Sequence, residues 1–184
     1  LLIELALSAA NKPEYSSLPF FADFGTGSGC IAITPALEMP GWRGLALDKS
    51  AGALTLAESN AAKLGAAERL SFALGDFAKA PLAPRSFALL VSNPPYIGEE
   101  EYGELSPEVR WYEPKSALVP DPPQSCPPLV QDDRQDQASG DELPEQPQAT
   151  GLDGALAIIR QASDLLRRGG RLSLGLGCAQ GRRR

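Results

Sequence analysis

Phe20-Phe21-Ala22-Asp23-Phe24-Gly25-Thr26-Gly27-Ser28-Gly29-Cys30 is a short apolar run that breaks into alternating glycines. The run reads as a buried strand, and the glycines read as a tight turn opening a helix. A turn of this kind lets a ligand approach bare backbone, and the helix start offers unpaired N–H groups to a negative group. Its spacing is GxGxG. Cys30 stands where a dinucleotide-binding GxGxxG turn needs its third glycine, and no GxxxxGK[ST] phosphate loop is present.

Outward from this turn, further apolar runs at 44–47, 70–74, 87–91 and 171–176 are bounded by Gly, Pro or charge and predict strands. Between the first three strands, residues 28–38 and 50–64 carry apolar residues at helical spacing, with Ser28 and Ser50 as candidate N-caps. The alternation βαβαβ predicts an α/β fold with a parallel sheet and right-handed crossovers. A last helix is expected over 152–168, with Arg167 and Arg168 at its dipole-favoured end and Gly169-Gly170 closing it.

Two more signals fall at strand ends. Asp48 ends the second strand, where a carboxylate can accept both hydroxyls of a ribose, and Asp76-Phe77 succeeds the third. There the acid can take an exocyclic amine, and the ring can face a base. A glycine turn by itself can be only a turn, and a strand-end Asp only a helix cap. In this order they predict S-adenosylmethionine across the C-terminal edge of the sheet, contacted by Asp23, Gly25, Thr26, Gly27, Ser28, Gly29, Asp48, Asp76, Phe77 and Asn93.

Asn93-Pro94-Pro95-Tyr96 comes directly after the fourth strand. Two prolines fix φ at consecutive positions and bias Asn93 toward extended backbone, which makes a stiff corner. The Asn93 side-chain oxygen and the Pro94 carbonyl can each accept one N–H of a planar amide or amine. Such a nitrogen spreads its lone pair into a π system, so it must be held and aimed. Asn93 and Pro94 are therefore the expected catalytic residues, and Tyr96 can pack against the flat target group.

Composition bounds the chemistry. The 184 residues contain no histidine, which removes Ser-His-Asp and Cys-His catalysis and imidazole zinc sites. Three scattered cysteines, Cys30, Cys126 and Cys178, form no CxxC pair, so neither a metal site nor a disulfide framework is expected, and a cytoplasmic setting is. A net charge of -6 makes nucleic acid a poor partner. Neither a membrane span nor an export signal is read, and a monomer is expected.

The chain starts at Leu1, read as mid-helix, so a fragment of a longer protein is expected: a residual helix and linker at 1–19, then a catalytic domain over 20–184. Residues 121–149 are rich in Pro, Gln, Asp and Glu and predict a disordered insertion. Arg182-Arg183-Arg184 reads as a solvated tail.

Four segments resemble the peptide chain release factor N5-glutamine methyltransferases, the HemK family: DFGTGSGCIAI at 23–33, SNPPYI at 92–97, LSPEVRWYEPKSAL at 105–118, and residues 151–180. NPPY is shared with adenine and guanine N-methyltransferases; Glu108-Val109-Arg110 and Glu113-Pro114 are more selective. The resemblance implies a Rossmann-like class I S-adenosylmethionine-dependent methyltransferase fold, mostly parallel with helices on both faces. It also implies methyl transfer to the glutamine amide of the GGQ motif in class I release factors, with Asn93 and Pro94 holding that amide and Pro95 and Tyr96 completing its pocket. The chain departs from the family in lacking the N-terminal helical domain and the last hairpin, and in carrying Gly175 at a usually acidic position. Another NPPY methyltransferase, acting on a ribosomal-protein glutamine or a base, and an inactive remnant are the competing readings.

Overall fold

The computed structural model describes residues 2–10, 19–120 and 151–176. The expected insertion and the arginine tail lie outside the described residues. Five strands form one sheet in the order β3-β2-β1-β4-β5, all parallel. They are β1 (Phe20–Phe24), β2 (Arg43–Asp48), β3 (Leu70–Leu74), β4 (Phe87–Ser92) and β5 (Leu166–Leu174). The order reverses beside β1, which opens a crevice at the C-terminal strand ends.

The pleat divides the core. Phe21, Ala46, Leu89 and Val91 point to one face, where they meet Ala32, Ile33 and Ala36 of α2 (Cys30–Glu38) and Ala61 of α3 (Ala51–Leu64). Ala6 of α1 (Leu2–Ala10) belongs to the same cluster, so this first helix packs on this face of the sheet. Ala22, Phe24, Leu47 and Leu90 point to the other face, against Ile158, Ala162 and Leu165 of α7 (Asp153–Leu165). All six residues of β4 are buried, as expected of a strand covered on both sides. Gly44 is needed on β2 because a Cβ there would overlap the Phe21 ring, lying 2.6 Å from Cε2.

The expected Rossmann-like α/β architecture, a parallel sheet with helices on both faces, is the one observed. Local differences have identifiable causes. Ser50 caps α3 as expected, its Oγ accepting from the Ala53 amide at 3.2 Å. Ser28 does not cap α2: Gly29 takes that position in a left-handed conformation, with φ 85°. The last helix stops at Leu165 and not at 168, because Leu166 already pairs with Phe87 as the start of β5. Gly169, with φ 80°, sits in the adjoining register shift, so the glycine pair shapes an irregularity in the strand where a helix stop was expected. Arg167 and Arg168 consequently stand on β5 and not in the last turn of α7. Three short helices, α4 (Glu99–Tyr102), α5 (Pro107–Tyr112) and α6 (Lys115–Leu118), occupy a segment for which no elements were predicted.

Candidate active site

The site lies where four strands end at one level. Phe24 pairs with both Leu47 and Ser92, and Asp48 pairs with Leu74. The next residues off these strands include Gly25, Asn93 and Gly75, so the glycine turn, the NPPY corner and the Asp76 turn share the same edge. Ser92 locks the central pair, its Oγ donating to the Phe24 carbonyl at 2.6 Å.

The glycine turn is held mainly by backbone. The Gly25 and Thr26 amides donate to the Leu47 carbonyl at 2.8 and 3.1 Å, and the Gly29 amide donates to the Thr26 carbonyl at 2.9 Å. Gly25, Gly27 and Gly29 all have positive φ, which L side chains rarely adopt. A Cβ built on Gly25 or Gly27 meets no atom within 4 Å, so the space beside the turn is open. The start of α2 has no side-chain cap, so the first-turn amides other than that of Ala32, which faces Asp23, are available to a negative group. These features fit a ligand carrying a carboxylate.

Asp48 bridges the turn and α3: Oδ2 accepts from the Gly27 amide at 2.8 Å and Oδ1 from the Ser50 amide at 2.9 Å. It is half-buried, and each oxygen keeps lone-pair capacity for a hydroxyl. Asp76 accepts from the Ala78 amide at 2.9 Å and lies 3.9 Å from the Lys79 ammonium. Phe77 is half-buried and stacks on Phe24, with centroids 5.9 Å apart and planes 9° from parallel.

Asp23 behaves differently from the other expected contacts. It is 0% exposed beneath the turn, and its Oδ2 accepts from Thr26 Oγ1 at 2.7 Å. Desolvation raises its pKa from 3.8 to about 7, and the Asp48 charge acts in the same direction. The Thr26 hydroxyl and the nearby Ala32 amide oppose that rise, yet Oδ1 has no hydrogen bond of normal geometry among the described residues. The position of Asp23 suits holding the turn from below.

On the catalytic side, Pro94 is fully buried and Asn93 is exposed. Gly154 in the first turn of α7 packs beside the corner, where a Cβ would make ordinary contact with Pro94 Cβ and the Pro95 carbonyl oxygen, each at 3.5 Å. The Ile97 amide donates to the Leu118 carbonyl at 2.9 Å and closes the excursion that holds the three short helices. Tyr96 is half-buried beside the corner.

Sequence reasoning missed two supporting residues. Asn60 of α3 donates through Nδ2 to the Ser28 carbonyl at 2.9 Å, across 32 positions of chain. Gly154 of α7 packs beside the corner, a tertiary contact that no local spacing announces. Ser92, adjoining NPPY, was within reach of a motif reading. Among the described residues no group of three His, Cys, Asp or Glu side chains is placed to hold a metal ion. No described helix is long and apolar enough to cross a membrane.

Comparison with known proteins agrees with this geometry. The chain is 44% identical to the release factor glutamine methyltransferase of Nitratidesulfovibrio vulgaris, over 98% of this chain and 50% of that protein. It is 43% identical to the protein of the same name from Cereibacter sphaeroides, over 87% of this chain and 47% of that one. The chain thus spans about half the length of the curated relatives it matches. A crystal structure from Methanococcus maripaludis, assigned as an S-adenosyl-L-methionine-dependent methyltransferase, superposes with a TM-score of 0.54 at 19% identity, covering 96% of this chain and 55% of that one. That likeness is one of fold. Residues 14–105, half of the 184, match the methyltransferase small domain. With that match and the shared strand-end edge of glycine turn and NPPY corner, the chain belongs to the methyltransferase small domain family.

Proposed function

We propose that this chain transfers a methyl group from S-adenosylmethionine to the side-chain amide nitrogen of the GGQ glutamine in class I peptide chain release factors. One observation carries the reading: Phe24 and Ser92 are paired, so the open glycine turn and the Asn93 corner leave adjacent strands side by side. A cofactor lying along the first is within reach of a planar nitrogen held by the second. The 44% identity to a protein named for this reaction supports the choice of substrate.

The cofactor, when bound, supplies an activated methyl group on a positive sulfur. The start of α2 and the Gly25 to Gly29 turn suit its carboxylate, Asp48 its ribose hydroxyls, and Asp76 with Phe77 its adenine. Asn93 Oδ1 and the Pro94 carbonyl accept the two amide hydrogens and fix the plane of the nitrogen, while Tyr96 packs against the flat group. These carbonyl dipoles also favour positive charge as it develops on nitrogen. The proton leaves readily once that charge has formed, so no strong base is required. Release factors act in translation, and the reaction accordingly belongs in the cytoplasm, with the chain acting as a monomer.

The test is incubation of the chain with methyl-labelled cofactor and a class I release factor. Label on the GGQ glutamine, absent when that glutamine is replaced, is the expected result. Label on DNA, or none on the release factor, would overturn the assignment.

A further inference from the structure

The peptide group between Ser28 and Gly29 leads into α2, and it is held at both ends. Its N–H donates to the Thr26 carbonyl at 2.9 Å, within the glycine turn itself. Its carbonyl accepts at 2.9 Å from Nδ2 of Asn60, which reaches it from the C-terminal half of α3. A carbonyl can be met only by the NH2 end of a carboxamide, so this bond also fixes which way the Asn60 amide points. Ala57, on the same face of α3, packs on the next residue of the turn: a Cβ built on Gly29 would come within 3.0 Å of Ala57 Cβ and 3.2 Å of Ala57 Cα. Ala57 is buried and has no side-chain torsion to turn aside, so the glycine turn is seated directly on α3. The plane of the held peptide sets the direction in which α2 leaves Gly29. In its first turn the Ala32 amide faces Asp23 and the Ile33 amide donates to the Gly29 carbonyl, which leaves the Cys30 and Ile31 amides for a ligand.

We propose that Asn60 is a positioning residue for the carboxylate end of the cofactor, its bond to the Ser28 carbonyl aiming the Cys30 and Ile31 amides. The bond stands on geometry alone; its consequence rests on the proposed reading of the glycine turn as the cradle of S-adenosylmethionine. Asn60 acts through the peptide it holds. Without it, Thr26 alone restrains that peptide plane, and the two amides spread over a range of directions. A donor that must be ordered during binding gives up part of the affinity that a fixed donor supplies. Asp48 is anchored separately, by the Gly27 and Ser50 amides, so the nucleoside end keeps its contact. The defect is therefore confined to ligands that carry the amino-acid carboxylate.

Asn60→Ala in the 184-residue chain tests this by calorimetry with two ligands. One is S-adenosylhomocysteine; the other is methylthioadenosine, which has the same nucleoside and thioether but no amino-acid end. Ala is a better helix former than Asn, so the exchange does not weaken α3 by propensity. Affinity for S-adenosylhomocysteine should fall by about three- to tenfold, the range of one hydrogen bond, while affinity for methylthioadenosine stays within about twofold. Equal losses for the two ligands would make Asn60 a general brace of the turn and overturn the proposal. So would an unchanged affinity for S-adenosylhomocysteine, or a variant that fails to fold. A parent chain that binds neither ligand would count against the cofactor reading itself and overturn this inference with it.

Discussion

The two sides of the crevice are built by different means. The glycine turn on the β1-β2 side is tied down by backbone bonds to Leu47, a carboxylate bridge through Asp48 and an amide from Asn60. The NPPY corner on the β4-β5 side owes its stiffness to proline rings, packs beside Gly154 of α7, and is preceded by Ser92, whose carbonyl accepts from the Gly175 amide. A cradle made of bonded backbone binds whatever fits it, and its failure shows as lost affinity or lost fold. A corner defined by sterics aims one acceptor, and its failure shows as lost turnover with affinity intact.

Asn93→Ala is the sharpest way to break that contrast. It removes the acceptor proposed to hold the reacting nitrogen and touches none of the bonds holding the glycine turn. Methyl transfer is expected to fall by about 100-fold or more, comparable to loss of a preorganised polar group in other active sites. Affinity for S-adenosylhomocysteine, measured by calorimetry, should remain within a few fold. Near-normal turnover would remove Asn93 from the mechanism.

Asp23 tests whether the cradle is held from below. Its folded pKa of about 7 lies above the unfolded value of 3.8, so between these the folded chain keeps a proton that the unfolded chain has lost. The stability this contributes is fully present below the unfolded value and is lost as pH rises through 7. Asn at this position keeps an oxygen for Thr26 and has no charge to bury. Urea unfolding of Asp23→Asn against the parent should therefore show the variant gaining relative stability from pH 4 to pH 7, then levelling. A difference independent of pH would mean the buried carboxyl does not titrate in that window.

Asp48 supplies the opposite split from Asn93. Replacing it by Ala removes acceptors for the Gly27 and Ser50 amides and the expected partner of the ribose. Hydrogen bonds to a charged group are worth about 1.5–3 kcal/mol, so cofactor affinity should drop by about 10- to 100-fold. Turnover at saturating cofactor should change only a few fold. If kcat fell as steeply as in Asn93→Ala, cradle and corner would not be separable.

Much of this division was readable from residue order. The apolar runs of β1 and β3 end at Gly or charge, so their limits come from burial and punctuation. GTGSG and NPPY advertised themselves because glycine and proline fix backbone conformation locally. The end of α7 was not readable: Leu165, Leu166 and two arginines satisfy a helical period and a strand equally, and Gly169-Gly170 suits either a helix stop or a register shift. The pairing of Leu166 with Phe87, set by the whole sheet, decided it. The short helices α4 and α6 have four residues each, too few for a period to show. Asn60 and Gly154 meet the site through contacts between distant segments, which one sequence cannot reveal.

The excursion from Ile97 to Leu118 is where the steric side meets solvent, and here the smallest effect is expected. Lys115 pairs with Glu99, and its ammonium lies 5.1 Å from the centre of the Tyr102 ring. The two charged side chains are 51% and 47% exposed, so water and salt screen their attraction. Exposed pairs of this kind contribute about 0–1 kcal/mol, and cation–π contacts at exposed sites about 0.5–1 kcal/mol. Lys115→Ala should accordingly lower stability by no more than about 1 kcal/mol, with the loss shrinking as salt is added. Turnover should change little, because the Asn93 corner is braced by its prolines and by α7 and not by this pair. A large fall in kcat without loss of stability would instead make the excursion part of the aiming apparatus and extend the catalytic side well beyond its proline corner.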